Sequence, residues 1–185
     1  IALLVIIGIV AVCAFWFFGK RNSFVKLQEG VEKEWANVET AYQRRADLIP
    51  SLVNTVKGYA AHEPQTFTQV TEARANATQV KLSVDDLTEE NMQRFQKAQG
   101  ELNSALSRLL AVSENYPELQ ASKNFENLQT QLEGTENRIA VARRNFNEVA
   151  QQYNQAIRMF PGSIVASMSG FEKKPYFQAS EGADK

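Results

Sequence analysis

Hydrophobic residues follow two patterns along this chain. From Ile1 to Phe18 the run is apolar and unbroken, and no charged side chain comes before Lys20. Beyond it, apolar residues recur at alternating steps of three and four. The first pattern predicts a helix that is apolar on every side, as a membrane span is. The second predicts helices with one apolar stripe, packed on each other with knobs into holes. The expected fold is all-α: an N-terminal transmembrane helix followed by a long antiparallel bundle of about four helices. The divisions are an anchor over 1–19, a bundle over 20–162 and a partly disordered C-terminal tail over 163–185, with Ser180 to Lys185 as its disordered end.

The first bundle helix is expected from about Ser23 to Ala61. Val31, Trp35, Val38, Tyr42, Arg45, Ile49, Leu52, Val56 and Tyr59 form its seam. Pro50 removes a backbone donor and crowds the carbonyl of Ala46, so a kink is expected there. The seam resumes in phase at Leu52, which argues against a domain boundary. His62-Glu63-Pro64 makes a turn, and Pro64 suits the first turn of a second helix ending near Lys81. Ser83, Asp85 and Thr88 are alternative caps for a third helix carrying Phe95, Leu102, Leu106 and Leu109. Ser122 or Asn124 caps a fourth, whose seam runs from Phe125 through Leu132, Ile139 and Phe146 to Tyr153 and Phe160. Pro161-Gly162 stops it.

Short connections make neighbouring helices antiparallel. The first and fourth then lie side by side, with Arg45 near Ile139 and Arg44 near Glu136. An arginine on a seam is costly unless paired. Glu136 is the candidate partner of Arg44 or Arg45 in a buried ion pair, the alternative being that both arginines reach to the surface.

The apolar run would span about 27 Å as a helix, slightly short of a hydrocarbon core of about 30 Å. The chain starts on Ile, and residues upstream would complete the span. Phe15, Trp16, Phe17 and Phe18 resemble an interfacial aromatic belt, with Lys20 and Arg21 at the headgroups. They also make a poor cleavage site, which favours an uncleaved single-pass anchor. Lys20, Arg21 and Lys26 vote for a cytoplasmic bundle, but basic residues upstream would reverse that, so the side of the membrane stays open.

Twenty basic and twenty-one acidic residues nearly cancel, so no nucleic-acid partner is expected. Cys13 is the single cysteine. It excludes an intramolecular disulfide, and Val10-Ala11-Val12 ahead of it does not suit a lipidation signal. His62 is the single histidine, with Tyr59 where a Glu-x-x-His metal motif needs its glutamate. No Gly-rich phosphate loop occurs. No metal, cofactor or catalytic residue is therefore expected, and the chain is not read as an enzyme.

Two regions are candidate contact surfaces besides the anchor. One is the distal turn, with Tyr59, His62, Glu63 and Phe67. The other is the tail, where Phe171, Tyr176 and Phe177 interleave with Lys173 and Lys174. Such a tail suits a bilayer surface, a neighbouring subunit or the chain's own bundle. Trp35, Tyr42, Phe95, Phe125 and Phe146 are more large side chains than a thin bundle easily hides, which points to a homo-oligomer.

Several segments resemble the signature of the LemA family. They include Glu34-Trp35, the stretch Tyr42-Gln43-Arg44-Arg45-Ala46-Asp47-Leu48-Ile49-Pro50, and Val56-Lys57-Gly58-Tyr59-Ala60-Ala61-His62-Glu63. Ser113-Glu114-Asn115-Tyr116-Pro117-Glu118-Leu119, Ala142-Arg143-Arg144-Asn145-Phe146-Asn147, Phe160-Pro161 and Gly170-Phe171 continue the likeness in order. Ser51 and Phe146 depart from residues usual in the family, Asn and Tyr respectively. The resemblance implies a bacterial membrane protein with one N-terminal span and an antiparallel helical bundle, and no settled activity. The function expected is a scaffold that self-assembles or organises membrane-protein partners, in contact with lipid. The alternatives are a phosphotransfer module using His62 and an adaptor for a membrane protease or transporter.

Overall fold

A computed structural model of the chain describes residues 1–178. The helices are, in order, α1 (Ala2–Lys57), α2 (Pro64–Gln79), α3 (Glu89–Ser113), the one-turn α4 (Pro117–Gln120), α5 (Lys123–Arg158) and α6 (Gly162–Ser169). A 3-10 turn, Val84–Asp86, sits between α2 and α3. The expected disordered end, Ser180 to Lys185, lies outside the described residues.

The span and the first bundle helix are one element. α1 has 56 residues, about 84 Å of helix. A fresh start near Ser23 does not occur, because nothing between Phe18 and Ser23 stops a helix. Gly19 alone costs about 1 kcal/mol against Ala, too little against support on both sides. The apolar part of α1 is long enough to cross a membrane, and none of it is buried within the protein. The helical backbone also continues through Pro50. The Ala46 carbonyl, deprived of its usual donor by the proline, accepts a 2.8 Å hydrogen bond from Nε of Arg74 on α2.

α1 and α5 run antiparallel as the long axis of the bundle. Contacts descend one as they ascend the other: Thr55 with Asn124, Arg45 with Glu136 and Trp35 with Phe146. α2 and α3 form a hairpin on the same bundle. Their caps follow local chemistry. Thr88 Oγ1 accepts from the Asn91 N–H at 3.2 Å to open α3, and Ser122 Oγ accepts from the Phe125 N–H at 3.4 Å to open α5.

The core divides into two apolar clusters. The lower one, near the anchor, holds Phe24, Val31, Trp35, Phe95, Phe146 and Tyr153. The upper one holds Ile49, Leu52, Leu102, Leu109, Phe125 and Leu128. Trp35, Tyr42, Phe95, Phe125 and Phe146 are all buried. The expectation that some of them face outward toward another copy is therefore corrected: α3 and the C-terminal strap, added to the α1–α5 pair, hide them within one chain.

Residues 162–178 pack on the bundle. Pro161 ends α5 but also caps α6, which packs on α1 and α5. Gly170, with φ +76°, closes α6 in the left-handed conformation that glycine adopts without strain. Residues 171–178 then run in extended form back up the bundle as a strap.

Candidate functional site: a polar layer and an aromatic clamp

Between the two apolar clusters lies a layer of polar side chains from four helices. Arg45 of α1 is only 3% exposed. Its Nη1 meets Glu136 Oε1 of α5 at 3.2 Å. Its Nη2 donates to Gln99 Oε1 of α3 at 2.7 Å and to the Gln99 carbonyl at 3.2 Å. The guanidinium also lies over the Tyr42 ring, 5.2 Å from its centroid. Arg74 of α2 joins the same level through the Ala46 carbonyl. Arg44, the alternative partner for Glu136, is exposed. Arg45 lies on the seam face of α1 and Arg44, its neighbour about 100° around the helix, does not, so Arg45 takes the carboxylate; the α1–α5 register differs by about one turn from the simple count, which put Arg45 beside Ile139.

Gln99 was not singled out from sequence. Its signal was present, because the α3 seam of Phe95, Leu102, Leu106 and Leu109 leaves a seam position at Gln99 that carries an amide. A polar residue on a seam asks for a polar partner.

The second feature is the strap. Asn154 Nδ2 donates to the Lys174 carbonyl and Asn154 Oδ1 accepts from the Lys174 N–H, both at 2.8 Å. Asn147 repeats the clamp on Phe177, at 3.0 and 2.8 Å. The two asparagines are two helical turns apart, about 10.5 Å. Three extended residues cover about the same distance, so clamp and strap share a period. Tyr153 Oη donates to the Glu172 carbonyl at 2.9 Å. Arg143 and Gln96 both donate to the Gln178 carbonyl, at 2.7 and 3.2 Å.

These bonds seat the Phe177 ring in an aromatic pocket. Its centroid lies 5.5 Å from that of Phe146, 6.0 Å from Trp35 and 6.3 Å from Phe95. Arg143 covers it at 5.0 Å. The pocket walls are pinned as well: Trp35 Nε1 donates to the Leu82 carbonyl at 2.9 Å, and Lys174 Nζ to the Val84 carbonyl at 3.1 Å. The asparagines read backbone, the pocket reads an aromatic side chain, and the occupant is the chain's own C-terminal segment. Asn147 and Asn154 were given no role from sequence; Asn147 stands in a segment that resembles the family signature, and the two amides lie two turns apart on α5.

Burial pushes the Tyr153 phenol up to about 12, helped by the Glu172 carboxylate and opposed by the hydrogen bond to the Glu172 carbonyl. Burial likewise raises Tyr42, with Arg143 and Arg45 opposing.

The other candidate contact residues fall as follows. Tyr59 and His62 are exposed at the far turn, Glu63 is half-buried, and Phe67 is buried in the upper cluster beneath Lys57. In the tail, Lys173 and Tyr176 are exposed, Phe171 is half-buried, and Lys174 and Phe177 are buried. Lys174 and Phe177 are thus occupied within the chain, because the clamp satisfies their backbone groups and the pocket takes the ring. Among the described residues no group of three or more His, Cys, Asp or Glu gathers in a way that could hold a metal ion.

An apolar N-terminal helix running without a break into an antiparallel bundle defines a membrane-associated helical protein. The family model described as the LemA family matches residues 34–185, and the chain belongs to that family. The protein called Magnetosome protein MamQ 2, from Paramagnetospirillum magneticum, is 28% identical across 98% of this chain and 74% of its own length. Magnetosome protein MamQ of Magnetospirillum gryphiswaldense is 27% identical across 100% of this chain and 75% of its own. Protein LemA of Metamycoplasma hominis is 25% identical across 90% of this chain and 73% of its own. None of these names denotes an enzyme.

Proposed function

We propose that the protein is a single-pass scaffold of a bacterial membrane. Its bundle stands upright on the bilayer and assembles with copies of itself or organises partner proteins there, with no reaction of its own. The observation that carries this reading is the continuity of α1. One unbroken helix serves as anchor and as central bundle helix, so anchor and bundle move as one body.

The far turn, with His62, then projects about 60 Å beyond Phe18 along α1. Every copy presents the same faces at the same heights, which favours lateral association in closed assemblies. The outer face of α1 and α5 offers a shallow groove lined by Asn37, Arg44, Arg138 and Val141 for such contacts. The polar side chains with the most defined geometry make structural bonds within the chain, at the polar layer and at the strap. The names of the magnetosome relatives are consistent with a role at a membrane structure.

Native mass spectrometry of the intact protein, extracted with its anchor in mild detergent, tests the reading. The expected result is one large species of fixed stoichiometry. A species that is always monomeric and carries no other protein would overturn the scaffold.

A further inference from the structure

Four large apolar side chains stand in the open at one corner of the bundle. Met159, Phe160, Ile164 and Met168 are 59%, 80%, 50% and 72% exposed. Ile164 and Met168 lie one turn apart on the outer side of α6, while Val165 and Ala166 are buried on its inner side. α6 carries no charged residue. A surface helix normally places polar residues opposite its buried stripe, and α6 places apolar ones there.

The height of this corner is set by α1. Gly162 lets α6 come close to Phe24: a Cβ there would sit 3.1 Å from Phe24 Cζ. Phe171, just past α6, meets the Phe24 ring edge-on at 5.6 Å. Phe24 lies about 9 Å of helix rise beyond Phe18, the end of the apolar run. The polar zone of a bilayer is roughly 5–8 Å thick on each side, so the level of Phe24 lies at its outer edge. Phe17, inside the apolar run, already packs against the lower core, so the bundle begins where the span ends. Lys20, Arg21, Lys26, Arg158 and Lys173 are exposed around this end, with Glu172 the exposed carboxylate of the strap.

We infer that the α5–α6 corner is a second membrane contact, in which Met159, Phe160, Ile164 and Met168 enter the headgroup zone of the leaflet from which α1 emerges. The inference rests on α1 being a membrane anchor. The occupant is lipid because the anchor brings this face to the bilayer surface, and the basic residues around it suit anionic headgroups. A second contact beside the span stops the bundle from tilting about α1.

The test uses the full chain, with Cys13→Ala, in vesicles of phosphatidylcholine and phosphatidylglycerol. Nitroxide labels are placed one at a time through Phe160→Cys and Met168→Cys, with Ile9→Cys in the apolar run and Gln65→Cys at the far turn as references. Oxygen partitions into lipid and a nickel chelate into water, so the ratio of their collision rates reports depth. The expected ratios at 160 and 168 lie several-fold above that at 65 and below that at 9. Ratios at 160 and 168 equal to that at 65 would overturn the inference. So would protection from both reagents, which would mean cover by protein. A water-like ratio at 9 would instead remove the anchor reading itself, a result distinct from failure at the corner alone.

Discussion

A guanidinium held at 3% exposure needs an acceptor for each donor. Arg45 finds three contacts, on Glu136 and Gln99, while its Nε is buried without one. Such a group serves register more than stability. Arg45→Met together with Gln99→Leu replaces guanidinium and amide by apolar groups, with Glu136 partly exposed, and is expected to leave stability within about 1 kcal/mol of the parent or to raise it. Gln99→Leu alone keeps the charge and removes its 2.7 Å acceptor, and is expected to cost about 2–3 kcal/mol. Urea unfolding in mild detergent, followed by helical circular dichroism, compares the two. A costly double variant would mean that the layer is a net stabiliser.

Tyr153 offers a pH signature at the same scale. Its phenol is held protonated in the fold, up to about 12, against an ordinary value of 10.0. Its contribution to stability is complete below the unfolded value and is lost as pH rises through the folded one. The thermal midpoint of the parent is therefore expected to fall more steeply between pH 10 and 12 than that of Tyr153→Phe. At neutral pH the variant loses only the hydrogen bond to the Glu172 carbonyl, about 1 kcal/mol. Parallel pH profiles for the two proteins would show that Tyr153 has no such role.

Among the elements, α1 depends on a neighbour to stay whole. Pro50 strips the Ala46 carbonyl of its helical donor, and Arg74 replaces that donor from α2. The α1–α2 packing and the integrity of α1 are therefore linked. Arg74→Ala is expected to cost about 1–3 kcal/mol. In a Pro50→Ala background the backbone N–H at position 50 returns and the cost of Arg74→Ala should shrink, giving a coupling of about 1 kcal/mol in a double-mutant cycle. Strict additivity would show that the arginine and the proline act independently. The strap works in a related way: an element with no helical bonds of its own borrows its pairing from Asn147 and Asn154.

The bundle is built around α1, whose lower end is an apolar helix long enough to cross a membrane and whose upper end leads into the far turn. Its stiffness comes from α1, which crosses every layer: the anchor, the lower core, the polar layer and the upper core. With Trp35, Tyr42, Phe95, Phe125 and Phe146 buried inside one chain, the proposed assembly would rest on outer faces instead, such as that of α1 and α5. That is why a fixed stoichiometry by native mass spectrometry carries weight, since nothing in the core forces copies together.

Much of this was legible in the chain alone. The unbroken apolar run, the three-and-four periodicity, the cap candidates, Thr88 and Ser122 among their alternatives, and the prolines at 64 and 161 are local signals. Each acts through its immediate neighbours, so helix identity, order and antiparallel direction follow from them. The pairing of an α1 arginine with Glu136 was legible to within about a turn. The tertiary structure decided matters that depend on distant segments meeting. It selected Arg45 over Arg44: the two are neighbours about 100° apart around α1, and the one on the seam turns inward to Glu136 while the other faces out. It brought Gln99 to the guanidinium from α3 and Arg74 to the Ala46 carbonyl from α2. It also turned the tail inward, since an extended aromatic segment matches lipid, another copy or its own bundle equally well in sequence. The two asparagines of α5, spaced to the period of the strap, chose the bundle.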